Sequence, residues 1–167
     1  MNVAVIGYSG DVERPIIKRI SDICMSLGEL IAQKGHNLLT GGRDGVMELV
    51  SKGASQAGGK TIGILPFDEA GNEYNNLTIN TGMDYLMRSL VLIRSADLVI
   101  SIGGEIGTLY EIISAYACGK TVVLFRGTGG WTDRIVPSLI DGKFLDNRRI
   151  VEIFQVTALE QLDRFLA

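Results

Sequence analysis

Residues 101–113 read SIGGEIGTLYEII: the close of an apolar strand, a glycine-rich turn and the first turns of a helix. Glycines at 103, 104 and 107 permit positive φ and let backbone N–H groups approach an anion at a helix start, which is phosphate chemistry. Glu111 follows one turn later, and its carboxylate has two readings. Thr108-Leu109-Tyr110-Glu111 fits a capping box, with Thr108 as the cap and Glu111 reaching back to the Thr108 N–H. A carboxylate one turn from a phosphate-type loop is also placed to touch a ribose. Spacing leaves both open. The turn lacks the G-x-G-x-x-G order of a dinucleotide fingerprint and the Lys-Ser/Thr pair that closes a Walker A loop.

Other residues could join such a site. Gly7, Ser9 and Gly10 lie in GYSG, Gly41 and Gly42 end another apolar run, and RGTGGWTD (126–133) forms a further glycine loop. GYSG and RGTGGWTD suit a large anionic cofactor as well as a nucleotide. A lone arginine on an amphipathic helix is more often solvated, but Arg88 sits in MRSLVLI between apolar neighbours, just upstream of the glycine turn, which points to a functional role. Its planar fork suits bidentate contact with a phosphate or ribose. Trp131 either packs at a helix start or stacks on a heterocycle. His36 opens a strand away from the glycines and reads as a surface residue. Cys24 and Cys118 fall in apolar helical patterns without metal-ligand spacing, and with one His no metal site is expected. They read as buried, reduced thiols of a cytoplasmic protein.

The elements that must position these residues alternate. Strands are predicted at 2–7, 36–42, 60–66, 97–103, 121–125 and 151–156. Helices are predicted from Ile16 to the Gly35 cap, at 44–57, 83–95, from the glycine turn to Cys118, near 131–141, and at 157–167. Residues 67–81 are polar and read as one long irregular segment with the character of a functional lid. Strands alternating with helices predict an α/β fold: a single Rossmann-like three-layer α/β/α domain over residues 1–167, with a mostly parallel central sheet in the order 3-2-1-4-5-6. The glycine clusters then meet at the carboxyl ends of the strands, where such sheets bind ligands.

Composition bounds the partners. The chain has 167 residues, 46% of them hydrophobic, and a formal net charge of −3. No basic face is visible, so no nucleic acid is expected. No apolar run approaches the ~20 residues of a membrane span, and the start reads as a strand rather than a signal peptide. Apolar helices such as SLVLI (89–93) exceed what one sheet face needs, which predicts a homo-oligomer, dimer or tetramer, with contacts near the pocket.

GRDGVMELVSKGA (42–54), GGKTIGILP (58–66) and MRSLVLIRSADLVISIGGEIGTLYE (87–111) together resemble the Lonely guy proteins, phosphoribohydrolases long mislabelled lysine decarboxylases. The similarity runs from the first strand to about residue 126. It implies that Arg88 and Glu111 are the catalytic pair, that Gly104, Gly107 and Thr108 hold a 5′-phosphate, and that Gly41, Gly42, Gly45 and Met47 line the nucleotide pocket. The implied activity is hydrolysis of the N-glycosidic bond of nucleoside 5′-monophosphates, with no cofactor required. The chain departs from the family at three places: Gly103 replaces its loop proline, Glu105 its second loop glycine, and Ser89 the lysine after the arginine. A lysine decarboxylase is not implied, since no lysine stands beside a histidine as a pyridoxal enzyme of that kind requires. The chain also resembles the molybdenum cofactor carrier proteins in its length, its VAVIG start and its I-G-G-x-x-G-T loop. That branch implies binding of a phosphorylated pterin, the molybdenum cofactor, as cargo without turnover.

Overall fold

The computed structural model describes residues 1–167. Its centre is a seven-stranded parallel sheet. The strands are β1 (Asn2–Gly7), β2 (Asn37–Thr40), β3 (Lys60–Leu65), β4 (Leu77–Asn80), β5 (Leu98–Ile102), β6 (Thr121–Phe125) and β7 (Ile153–Val156), in the order β4-β3-β2-β1-β5-β6-β7. Val3 to Ile6 of β1 are buried on both faces, as the unbroken apolar run in the sequence requires of a central parallel strand.

The period-two alternation of the strands sends side chains into two cores. On one face Val3, Val5, Ile100 and Val123 pack with α1 (Pro15–Lys18), α2 (Ser21–Gln33) and α3 (Val46–Gln56). On the other, Ala4, Ile6, Val99 and Leu124 pack with α4 (Tyr85–Ser95) and α5 (Ile106–Ala117). The architecture is the expected Rossmann-like α/β fold, and the predicted strand order holds for the strands the sequence revealed. No helix is long and apolar enough to cross a membrane.

Four expectations need correction. The 67–81 segment is not wholly irregular: β4 lies inside it and extends the sheet beyond β3, with Leu77 paired to Ile62 and Asn80 to Leu65. Its connecting loop is strapped down rather than free as a lid would be. Asn72 and Asn75 donate to the Gly42 carbonyl from their side chains, and the Asn72 amide does so at 2.8 Å. The first predicted helix is split into α1 and α2. The helix near 131–141 shortens to α6 (Gly130–Arg134) and a 3-10 turn, Val136–Ser138, because Pro137 donates no N–H. The closing helix reduces to a 3-10 turn at Leu159–Leu162.

Candidate functional site

The chain builds outward from β1 to β4, then returns to add β5 on the other side of β1. At this reversal of strand order the connections diverge and open a crevice beyond the carboxyl ends. Here it is a cleft of about 220 Å³. It is bounded by Gly7 and Ser9 after β1, Gly41 and Arg43 after β2, Met47 of α3, the inner face of α4, and Gly107, Thr108 and Glu111 of α5.

Asp84 starts α4 by accepting the Met87 N–H at 2.9 Å. The helical repeat then turns Arg88, Ser89, Leu92 and Ile93 inward together. Arg88 is only 6% exposed, yet its guanidinium makes no hydrogen bond or ion pair within the protein, and Nε and Nη1 are buried without acceptors. Burial lowers its pKa from the ordinary arginine value, against the opposing charge of Glu111. A Cβ on Gly41 would collide with Nη1 of Arg88, so glycine at 41 is what lets the guanidinium lie against the turn after β2.

Opposite stands Glu111, 8% exposed. It is not the arm of a capping box. The residue preceding α5 is Glu105, which places Thr108 inside the first turn. Its hydroxyl donates to the Gly7 carbonyl at 3.1 Å. Glu111 instead accepts a hydrogen bond from Ser89 Oγ at 2.8 Å. Burial pushes its carboxyl up to about 7, although the Ser89 hydrogen bond and the Arg88 charge both pull it down. Arg88 and Glu111 therefore share the cleft without neutralising each other.

The third component is the start of α5. The amides of Gly104, Glu105, Ile106, Gly107 and Thr108 donate to no acceptor in the protein. Open amides at the positive end of a 12-residue helix are the arrangement an anion would need. Glu105 is exposed, yet its charge still bears on Tyr8 behind the turn, whose phenol pKa is raised first by burial and then by Glu105.

Of the residues singled out in the sequence, Gly7, Ser9, Gly41, Met47, Arg88, Gly107, Thr108 and Glu111 line the cleft. Gly10, Gly42, Gly45, Gly103 and Gly104 stand behind its wall. The Gly10 amide donates to Asp44, and Gly45 packs on the Tyr8 backbone, where a side chain has no room. Gly42 abuts Gly63. Gly103 adopts a φ of 61° against the Tyr8 ring, and Gly104 backs onto Thr108. In the loop at 126–130 the acceptor for two amides comes from the protein itself. Asp133 fills the loop, accepting from Gly127 N at 3.0 Å, Gly129 N at 2.6 Å and Arg126 Nε at 2.7 Å. Burial works against that charge, but these donors hold the Asp133 carboxyl below its usual range. Trp131 is half-buried outside the cleft, its amide bound to the Gly104 carbonyl.

Sequence reasoning missed Arg43 and Tyr85 at the cleft mouth. Arg43 pairs with Glu69 at 2.8 Å, and Tyr85 donates to the same carboxylate at 2.7 Å. The only signal for Arg43 was its place inside GGRDG. Cys24 is buried as expected, and Cys118 is half-buried. His36 is partly buried rather than free at the surface, its Nε2 3.0 Å from the Leu166 carbonyl.

Fold and cleft define a Rossmann-like α/β protein with an anion-ready crevice at its topological switch point. The chain belongs to the SLOG cluster4 family, whose family model matches residues 1–161. An X-ray structure from a structural genomics consortium is 57% identical, covers 99% of this chain and 97% of its own, and has a TM-score of 0.97. A molybdenum cofactor binding protein from the phototrophic bacterium Rippkaea orientalis is 28% identical, with 99% and 97% covered and a TM-score of 0.79. The molybdenum cofactor carrier protein of Chlamydomonas reinhardtii is 32% identical over 73% of this chain and 74% of its own, with a TM-score of 0.66. The resemblance to the Lonely guy proteins is consistent with this placement.

Proposed function

We propose that this protein is a carrier of a phosphorylated pterin of the molybdenum cofactor kind, held in the cleft between α4 and α5 without turnover. One observation carries the reading: the buried Arg88 guanidinium has no partner of its own and faces a cleft that also opens on the free amides of α5. An unpaired buried cation is costly, and an anionic ligand offsets that cost when it binds. The similarity to molybdenum cofactor binding and carrier proteins supports the same cargo. The phosphate sits at Gly107 and Thr108. No cofactor is needed for catalysis, because none takes place.

The test is elemental analysis of protein purified from molybdate-fed cells, with pterin read by fluorescence after oxidation. Near-stoichiometric molybdenum and pterin are expected. Protein that retains neither and cannot be loaded overturns the reading.

A second reading is phosphoribohydrolase activity on nucleoside 5′-monophosphates. It is favoured by the meeting of Arg88 and Glu111 in one cleft with Gly107 and Thr108. A carboxylate can stabilise an oxocarbenium-like ribose and orient water. Two features weigh against it: Ser89 occupies one oxygen of Glu111, and burial draws its proton on near neutrality. Base release from a panel of nucleoside monophosphates, absent in Glu111→Gln, would put the hydrolase first.

The working form is a homo-oligomer. Leu86 at 53%, Met87 at 54% and Ile106 at 71% exposure leave an apolar face on α4 and α5 beside the cleft, and a second copy covers it. Sedimentation at micromolar concentration is expected to show at least a dimer.

A further inference from the structure

Resting on the carrier reading, we infer that Arg88, Glu111 and Ser89 together read the 2-amino-4-oxo edge of the cargo's fused pyrimidine ring, the edge that pterins share with guanine. Three features of the cleft lead there.

Size comes first. At about 220 Å³ the cleft lies below the ~300–1,000 Å³ that enclose a whole drug-sized ligand. One ring system fits inside, while a phosphate remains at the rim against the amides of Gly107 and Thr108. Wall chemistry comes second. Val5, Ile6, Met47, Leu86 and Leu92 offer apolar surface to the faces of a flat ring. A pentose would turn hydroxyls toward the same walls and leave them unpaired, at a cost of about 1–3 kcal/mol for each buried group.

The polar edge is the third and most selective feature. The guanidinium of Arg88 can only donate, and its Nε and Nη1 are buried without acceptors in the protein. Glu111 has Oε1 occupied by Ser89, which leaves Oε2 to accept from a ligand. Ser89 Oγ spends its proton on Glu111 and keeps its lone pairs. The group thus offers one donating side chain beside two acceptor atoms, Glu111 Oε2 and Ser89 Oγ. Its complement is one acceptor beside two donors: the 4-oxo oxygen, the ring N3–H and the 2-amino group. A 2,4-dioxo ring sets a carbonyl where the amino group should be, and an adenine-type edge sets a bare ring nitrogen against an acceptor.

The charge state of Glu111 enters the test. Arg88 of α4 is the one charged group that bears on it; Val5 and Ile6 of β1 are apolar, and Arg43 at the mouth is engaged by Glu69. Ring N–H donors bind the ionised carboxylate, so the selectivity fades as Glu111 takes up its proton with the pH falling through about 7.

The experiment uses the full chain and two fluorescent probes of one shape, pterin and its 2-oxo counterpart lumazine, titrated at pH 8 and pH 6. Ribose 5-phosphate is titrated alongside by calorimetry. The expected result at pH 8 is pterin binding tighter than lumazine by about tenfold or more, since tenfold corresponds to about 1.4 kcal/mol, roughly one hydrogen bond. That preference shrinks at pH 6, is erased in Glu111→Gln, and falls several-fold in Ser89→Ala. Equal binding of pterin and lumazine by the wild type overturns the inference. A preference that survives Glu111→Gln while that variant loses ribose 5-phosphate also overturns it, because the carboxylate then reads a sugar. If purified protein carries molybdenum and pterin but pterin is not preferred over lumazine, this inference fails while the carrier reading stands. If the pterin preference holds but purified protein never carries molybdenum, the carrier reading fails and the edge recognition survives.

Discussion

Two glycine loops stand side by side at the carboxyl edge of the sheet and do opposite things. Residues 104–108 keep their amides open, whereas Gly127 and Gly129 have theirs filled by Asp133. Each loop is also followed, on the helix it opens, by a carboxylate, and the two are in opposite states. Asp133 is held ionised by three donors, while Glu111 is pushed toward its neutral form by burial. The closed loop serves the open one. Gly130 packs against Gly104, Trp131 N donates to Gly104 O at 2.8 Å, and Thr132 Oγ1 donates to Gly103 O at 2.6 Å. A glycine-rich turn at a helix start is thus a ligand site only when no side chain of the protein supplies the anion.

The largest effect should come from emptying the closed loop. Asp133→Ala removes the acceptor of two backbone amides and of Arg126, and is expected to cost about 3–4 kcal/mol of stability. The measurement is urea unfolding. Inorganic phosphate should restore more stability to the variant than to the wild type, because the vacated loop then resembles its neighbour. An unaltered unfolding midpoint would mean that the two loops do not differ in the way described.

Next is the pH dependence set by Glu111. Its carboxyl titrates about 7 in the folded protein against an ordinary 4.5. Between those values the native state holds a proton that the unfolded chain has released. The contribution to stability is therefore complete below about 4.5 and is lost as pH rises through 7, with a total of roughly 3 kcal/mol. Glu111→Gln imitates the neutral acid and should flatten this slope, leaving the variant more stable than the wild type at pH 8. Unfolding free energies of both proteins at pH 5 and pH 8 check it. Equal slopes would show that Glu111 is ionised throughout, as Asp133 is.

Arg88→Met sharpens the comparison from the ligand's side. It replaces a buried, unpartnered cation with an apolar chain of similar length, and is expected to raise stability by about 1–2 kcal/mol while weakening phosphorylated ligands at least tenfold. Chemical denaturation and calorimetry read the two effects separately. A variant that lost stability would imply a partner for Arg88 within the protein itself.

Much of this was legible in the sequence. The doubly apolar runs of β1 and β5 announce central parallel strands, and the glycines fix their carboxyl ends. Arg88 stood out because a guanidinium between apolar neighbours has no reason to be solvated. What the sequence hid was register and occupancy. Thr108 through Glu111 matched a capping box by spacing, but the helix begins two residues before Thr108, at Ile106, and the hydroxyl turns to Gly7 instead. RGTGG looked as open as GGEIG because nothing local reveals that Asp133 folds back onto it. β4 escaped notice because Leu77 and Ile79 are exposed at the sheet edge, where burial leaves no pattern. Arg43 was hidden by its loop context, which gives no hint of Glu69.

The smallest effect tests how the open loop is tied to β1. Thr108 Oγ1 donates to Gly7 O at 3.1 Å, joining the helix that supplies the free amides to the turn that holds Ser9. Thr108→Val keeps the shape, removes the donor and leaves the Gly7 carbonyl unpaired, at a cost of about 1 kcal/mol. Its counterpart in the closed loop, Thr132, has two partners at 2.6 Å, Ser101 Oγ and Gly103 O, so Thr132→Val should cost about twice as much. The functional effects should run the other way. Thr108→Val acts on the cleft wall itself and should weaken inorganic phosphate a few-fold, whereas Thr132→Val acts only through the buttress and should change affinity less than it changes stability. Paired unfolding and calorimetric titrations of the two variants measure both orders. If Thr132→Val proves the more damaging to binding, the closed loop sets the geometry of the anion site more strongly than the direct link to β1 does.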